Sequence, residues 1–221
     1  YARAIAKRFY DVVAEKKYKY LKRRGTLIYQ GELSNKLRHF VPTLLDSHLY
    51  RRLPKKPQRI FVGSMSEIYH WNEEWIERVI EKVKQYPQHI FIFLTKHMEV
   101  YADWRWPGNC ILGVTITNKE DFEKQRGSYY FYNEKNKTLF CFEPLLGDIY
   151  AEYIQYSNVN WIIIGAESGN RKGKVVPKRS WVGRILSRCH RYKIPVYIKD
   201  NLSKYYDEYK RYKQFPTINK L

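Results

Sequence analysis

No stretch of this chain approaches the roughly 18 consecutive apolar residues that a membrane-spanning helix requires, which excludes a helical membrane protein from the sequence. No basic stretch followed by an apolar core opens the chain, so no secretory signal is read there. Cysteine is scarce. Cys110, Cys141 and Cys189 stand too far apart for zinc or cluster spacing and form no disulfide framework. These absences together predict a cytoplasmic protein without membrane contact. Also missing are a Walker phosphate loop, a G-x-S-x-G elbow and an H-E-x-x-H helix. Negative charge is short as well: 22 Asp and Glu face 41 Lys and Arg, a formal net charge of +19. Two readings of that excess stand side by side. One is attraction to nucleic acid or another polyanion, and the other is a lysine-rich solubilising surface.

What is present is enough for a globule. Of the 221 residues, 44% are hydrophobic, which predicts a single packed domain over 1–221. The basic excess is uneven, with blocks at 16–24, 51–59 and 204–213. Tyrosines interleave the first and third. They suit stacking on exposed bases while cations follow phosphates, and equally suit covering helix surfaces.

The organising pattern is a series of short apolar runs, each ending in polar or charged residues. Strands are predicted at 59–65, 89–95, 110–117, 138–143, 159–165 and 195–199. Their polar ends are Ser64, Ser66 and Glu67; Thr95 and Lys96; Thr117 and Asn118; Glu143; Glu167 and Ser168; Lys199 and Asp200. Near-continuous apolar runs are the mark of buried parallel strands. Between them lie helical signals. Asn72-Glu-Glu opens a helix whose Trp75, Ile76, Val79, Ile80 and Val83 form one stripe. Trp181, Val182, Ile185, Leu186 and Cys189 repeat that spacing after Pro177. A first helix is read from Ala2 to about Gly25, a short strand at 26–33, a helix at 35–49, a helical piece near His97–Trp104, a helix at 118–126, a loop at 127–137, and a Tyr-rich terminal helix or tail. Strand alternating with helix predicts an α/β fold, an incomplete (β/α) TIM-like barrel of about six parallel strands. Its carboxyl-terminal face would carry the site.

Glu143 and Glu167 are the sharpest pair. Paired carboxylates at a barrel mouth can hold an ammonium, ribose hydroxyls or a metal, or exchange protons. Pairing with Lys96 or Lys199 as structural ion pairs is the equal alternative. A metal-dependent hydrolase using both carboxylates follows from the first reading. Gly165-Ala-Glu-Ser-Gly169 and the turn at Gly63–Glu67 offer backbone amides to an anion. Cys141 shares a strand face with Glu143 and reads as barrel filling, and Cys189 as core. His70 reads as a surface histidine.

Taken in order, the runs 59–70, Phe93-Leu-Thr-Lys96, 112–118, Phe142-Glu-Pro-Leu-Leu-Gly147, 161–169 and Pro195–Lys199 resemble the phage Gp37/Gp68 family, also called the DUF5131 family. The resemblance covers residues 1 to about 202. That family looks like a branch of the radical S-adenosylmethionine enzymes, akin to spore photoproduct lyase in its cluster region. It implies a [4Fe-4S] cluster on three cysteines, S-adenosylmethionine as cofactor, an electron donor such as flavodoxin or ferredoxin, and a 5′-deoxyadenosyl radical that abstracts a substrate hydrogen. In the family pattern the last cluster cysteine directly precedes Tyr-Ala, so the cluster segment is expected just ahead of Tyr1, and no cluster ligand is assigned within this chain. By position, the resemblance implies that Ser64, Ser66, Glu67, Thr115, Thr117, Asn118 and Glu143 meet the cofactor. Lys96, Glu167 and Lys199 would serve catalysis, and Ser168 and Asp200 the substrate, a nucleic acid or nucleotide. The rival expectation is a non-catalytic basic barrel that binds nucleic acid.

Overall fold

A computed structural model of the chain describes residues 44, 46–64, 66–125, 136–169 and 171–217. The expected first helix, the strand at 26–33, most of the helix at 35–49, nearly all of the loop at 127–137 and the basic block at 16–24 lie outside these residues. Two units are distinguished: residues up to Gln58 together with Gly63–His89, and Arg59–Val62 together with Ile90 onward.

In the first unit, α1 (Asp46–Leu49) packs on α2 (Glu73–Lys84). Asn72 caps α2 by accepting a bond from the Trp75 amide at 2.9 Å, and Glu73 and Glu74 complement the helix dipole. Ile76, Val79, Ile80 and Val83 are buried, the stripe the spacing predicts. Arg78 fastens the two helices by an ion pair to Asp46 at 2.7 Å. Before α2, Gly63 (φ 70) turns the chain, and Ile68–His70 form a 3-10 turn with His70 exposed.

The second unit carries a six-stranded parallel sheet in sequential order, curled into a half-barrel. Its strands are β1 (Arg59–Val62), β2 (Ile90–Thr95), β3 (Cys110–Thr115), β4 (Lys137–Phe142), β5 (Trp161–Ile164) and β6 (Val196–Ile198). All six fall within a few residues of the apolar runs. Parallel neighbours need a crossover. The crossovers described in this unit are a 3-10 turn at Met98–Tyr101, α3 (Lys119–Gln125), a 3-10 turn at Ala151–Tyr156 and α4 (Arg179–Arg191). The predicted piece near His97–Trp104 is thus one short turn. The terminal segment is α5 (Asp200–Ser203) and a 3-10 turn at Asp207–Arg211.

Strand alternation sorts the side chains onto two faces. Phe140 and Phe142 lie on the helix-covered face, where Phe122 of α3 meets Phe140 edge-on at 5.9 Å. Ile92, Ile111, Leu139 and Trp161 fill the other face, flanked by the half-buried Ile90, Leu94, Ile163 and Tyr197. Gly113 is required there. A Cβ would sit 2.6 Å from Leu94 Cδ2 and 2.9 Å from the Phe93 carbonyl oxygen.

The curl has a visible consequence at the amino-terminal end of the strands. Arg59 of β1 lies 3.9 Å over the Phe215 ring, while Trp161 of β5 and Tyr197 of β6 stand 5.6 and 5.3 Å from the same ring. One aromatic ring therefore touches both edge strands. Its segment is held beside β6 by an antiparallel bridge, Tyr197–Lys213, and by paired backbone and side-chain bonds between Gln214 and Val196. This covers an edge that would otherwise offer unpaired amides.

Candidate functional site

The parallel register brings particular strand ends level. Thr115 pairs with Cys141, Cys141 with Ile163, and Ile163 with Tyr197. The ladder then runs one step further, because the Gly165 amide bonds the Phe142 carbonyl at 3.0 Å and the Lys199 amide bonds the Ile164 carbonyl at 2.9 Å. The topmost rung is Glu143, Gly165 and Lys199. Gly165 has no side chain, and Glu143 uses the space: a Cβ on Gly165 would lie 2.8 Å from Glu143 Cγ and 3.0 Å from Oε1. The carboxylate crosses the glycine to meet Lys199 Nζ at 2.7 Å (Oε1) and 2.9 Å (Oε2).

Asn201, in the first turn of α5, completes the arrangement. Its Nδ2 donates to Glu143 Oε1 at 3.1 Å and to the Ala166 carbonyl at 2.7 Å, while its Oδ1 accepts from the Ala166 amide at 3.2 Å. The sequence reading did not single out Asn201. An Asn in a short helical turn carries no pattern of its own; its one signal is its place two residues after Lys199. The Glu143 side chain is 23% exposed and that of Lys199 45%. The pair therefore stands at the mouth in contact with water, where such bonds contribute about 0–1 kcal/mol and open at small cost.

Glu167 is placed differently. Its carboxylate takes a two-pronged bond from Arg171, 2.6 Å from both Nε and Nη2, and a longer one from the Val175 amide at 3.4 Å. The Arg171 bonds hold its pKa down at about 2. The loop after β5 thus closes on its own glutamate, with Gly169 (φ 88) and Gly173 (φ 66) in conformations that favour glycine. Arg171 was not weighed from sequence, where Lys96 and Lys199 were the expected partners. Both carboxylates of the sequence pair are engaged by cations rather than facing a shared ion. Among the described residues, no group of three or more His, Cys, Asp or Glu is placed to hold a metal, so the geometry lends the hydrolase reading nothing.

The remaining candidates are distributed as follows. Thr117 donates from its amide (3.1 Å) and hydroxyl (2.5 Å) to Asp121, and Asn118 accepts from the Asp121 amide at 2.9 Å. These bonds turn β3 into α3. Thr115 is half-buried beside Cys141. The Lys96 side chain is exposed, and its carbonyl accepts from Gln125 at 2.8 Å. Ser168 is exposed, and Asp200 pairs with Lys213 at 2.6 Å. Ser64, Ser66 and Glu67 follow β1 in the other unit, where Ser66 accepts from the Trp71 indole at 3.2 Å.

An iron–sulfur cluster would need three ionised thiols, and the chain has three cysteines. Cys110 of β3, Cys141 of β4 and Cys189 of α4 are all buried, and desolvation pushes each thiol up to about 12. A cluster needs thiolates, so these side chains do not fit that role. Cys141 and Cys189 are core, as their positions predict.

The family model described as a protein of unknown function, DUF5131, matches residues 1–214. The chain belongs to the DUF5131 family. No curated protein and no solved structure matched it. The match spans every strand of the DUF5131 half-barrel and the whole Glu143–Gly165–Lys199 rung. No helix among its described residues is long and apolar enough to cross a membrane.

Proposed function

We propose that the chain is the half-barrel of an S-adenosylmethionine-dependent radical enzyme, and that Glu143, Lys199 and Asn201 form its ligand seat above Gly165. The observation that carries this reading is the top rung. It sets a carboxylate and an ammonium side by side at the carboxyl ends of parallel strands, the end where such sheets bind ligands. A carboxylate there accepts bonds from two hydroxyls of a ribose or from an ammonium group. The adjacent lysine supplies the countercharge for a ligand carboxylate. Because the pair is half-exposed, a ligand bearing both kinds of group can replace each partner for the other. Thr115 shares the strand-end region by register. The cluster would be held by the cysteines that precede Tyr-Ala in the family pattern, and Cys110, Cys141 and Cys189 remain core thiols. Flavodoxin or ferredoxin would supply the electron.

The test is calorimetric titration of the full-length protein with S-adenosylmethionine, followed by anaerobic reconstitution with iron and sulfide. Glu143→Gln and Lys199→Met should each weaken cofactor binding at least about tenfold, the loss of one charge-assisted contact. Asp200→Asn, which removes only the negative charge opposite Lys213, should leave it unchanged. Reconstituted protein should show iron–sulfur absorbance and release 5′-deoxyadenosine. Absence of both cofactor binding and 5′-deoxyadenosine would end this reading.

A further inference from the structure

The cations of α4 are not spread evenly. Arg184, Arg188 and Arg191 recur at i, i+4 and i+7, a single stripe. It faces away from the buried stripe of Val182, Ile185 and Cys189. Between this stripe and the 3-10 turn at Ala151–Tyr156 runs an open groove of about 290 Å³. It is lined by the three arginines, Ser187, Ala151 and Glu152. Arg184 is paired with Asp148. Among the described residues Arg188 and Arg191 form no ion pair. Three neighbouring cations of the unit, by contrast, are tied to acids: Arg179 to Glu208 at 3.3 Å, Lys210 to Asp207 at 2.7 Å, and Lys213 to Asp200 at 2.6 Å.

At the lower end of the stripe stands an aromatic side chain. Tyr192 is 40% exposed, has the Arg191 guanidinium over one face of its ring at 5.8 Å, and has its hydroxyl anchored on Gln155 at 2.5 Å. The anchor fixes the ring while leaving much of it to solvent. At 1.5 Å of rise per residue the three arginines cover about 10.5 Å of helix axis. That matches about three nucleotide steps at roughly 3.4 Å per stacked step.

We infer that this groove binds the phosphate backbone of single-stranded nucleic acid, with Tyr192 as a stacking platform for an unpaired base. Three features favour this occupant. Guanidinium groups bind phosphate with two parallel bonds. Cations in a row beside an exposed aromatic ring are the pattern of sequence-tolerant single-strand binding. The chain's net charge of +19 draws polyanions in general. The inference goes beyond the ligand seat, since none of its residues belongs to the Glu143–Lys199–Asn201 cluster.

The experiment is fluorescence anisotropy of the full-length protein with labelled oligothymidylate across a salt series. The variants are the double substitution Arg188→Gln with Arg191→Gln, Tyr192→Leu, and a control of equal charge, Lys55→Gln with Lys56→Gln. The arginine double variant breaks no ion pair of the described residues, so it should fold. It should bind about tenfold more weakly and flatten the salt slope by about 1.4, the share of two single-strand phosphates. Tyr192→Leu should weaken single-strand binding several-fold while leaving duplex binding unchanged, as stacking predicts. Equal losses in the control and the arginine variant would overturn the proposal in favour of diffuse charge. Unlabelled polyglutamate that competes as well as the oligonucleotide would overturn it in favour of an acidic protein partner. Unchanged S-adenosylmethionine binding in the α4 variants would separate this outcome from that of the ligand seat.

Discussion

At the scale of single residues, two glycines of the sheet make opposite predictions. A Cβ at Gly113 meets the Phe93 carbonyl at 2.9 Å as well as Leu94. Backbone cannot rotate away, so Gly113→Ala should cost about 3 kcal/mol, the upper range for overpacking. A Cβ at Gly165 meets only the Glu143 side chain within that distance range. That side chain can swing off, so Gly165→Ala should cost about 1 kcal/mol yet separate Glu143 from Lys199. Denaturant melts should rank the two in that order. Calorimetry should show ligand binding lost in Gly165→Ala although its fold persists. A Gly165→Ala protein that binds normally would show that the glycine only relieves crowding. Glu143 and Lys199 were legible in sequence because each ends an apolar run. Asn201 and Arg171 were not, because their partners lie across a strand or within a loop whose path the pattern does not describe. Nor could the sequence reading decide what Glu167 pairs with: Arg171 stands four residues along, but only the turn through Gly169 and Gly173 brings it round.

At the scale of elements, the segment Tyr212–Phe215 acts as a fastener on the half-barrel. Phe215 meets Arg59, Trp161 and Tyr197, while Trp161 donates its indole N–H to the Gln214 carbonyl at 3.1 Å. Phe215→Ala removes three ring contacts from a side chain that is 41% exposed. The expected loss is about 2 kcal/mol, less than for a fully buried phenylalanine. Scanning calorimetry should record a fall of about 4–8 °C, and amide exchange should rise first in β1 and β6. Exchange that rises uniformly would mean that the ring does not hold the edges together. The inner strands β2 to β5 were readable because they are largely buried on both faces, which makes each a continuous apolar run. The fastener was not. Its sequence, Tyr-Lys-Gln-Phe, is short, and its meaning comes from contacts more than 50 positions away, such as Trp161 with Gln214. The crossover at Ala151–Tyr156 escaped for a related reason: one 3-10 turn is too short for helical periodicity to register.

At the scale of the molecule, the charge imbalance bears on stability as well as on partners. With 41 basic and 22 acidic residues, the folded chain repels itself at neutral pH. Screening lengths shorten to about 10 Å at 0.1 M salt, so raising sodium chloride toward physiological strength should raise the melting temperature by several degrees. Lowering the pH removes negative charge and so adds to the repulsion. Glu167 adds a local contribution of the same sign. Arg171 depresses its pKa from 4.5 to about 2. A depressed carboxylate pKa stabilises the folded state above the unfolded value, and that stability fades as pH falls through the folded one. The Glu167 share is therefore complete above about pH 4.5 and lost by about pH 2. Glu167→Gln should flatten the acid limb of the stability profile within that window and leave its slope above pH 5 unchanged. Denaturant titrations across the pH range at fixed ionic strength distinguish this local effect from the global one. Added salt should shift the whole acid limb to lower pH in both proteins, whereas the substitution should change only its steepness. If Glu167→Gln instead shifts stability equally at every pH, the Arg171 contact does not titrate as the geometry requires.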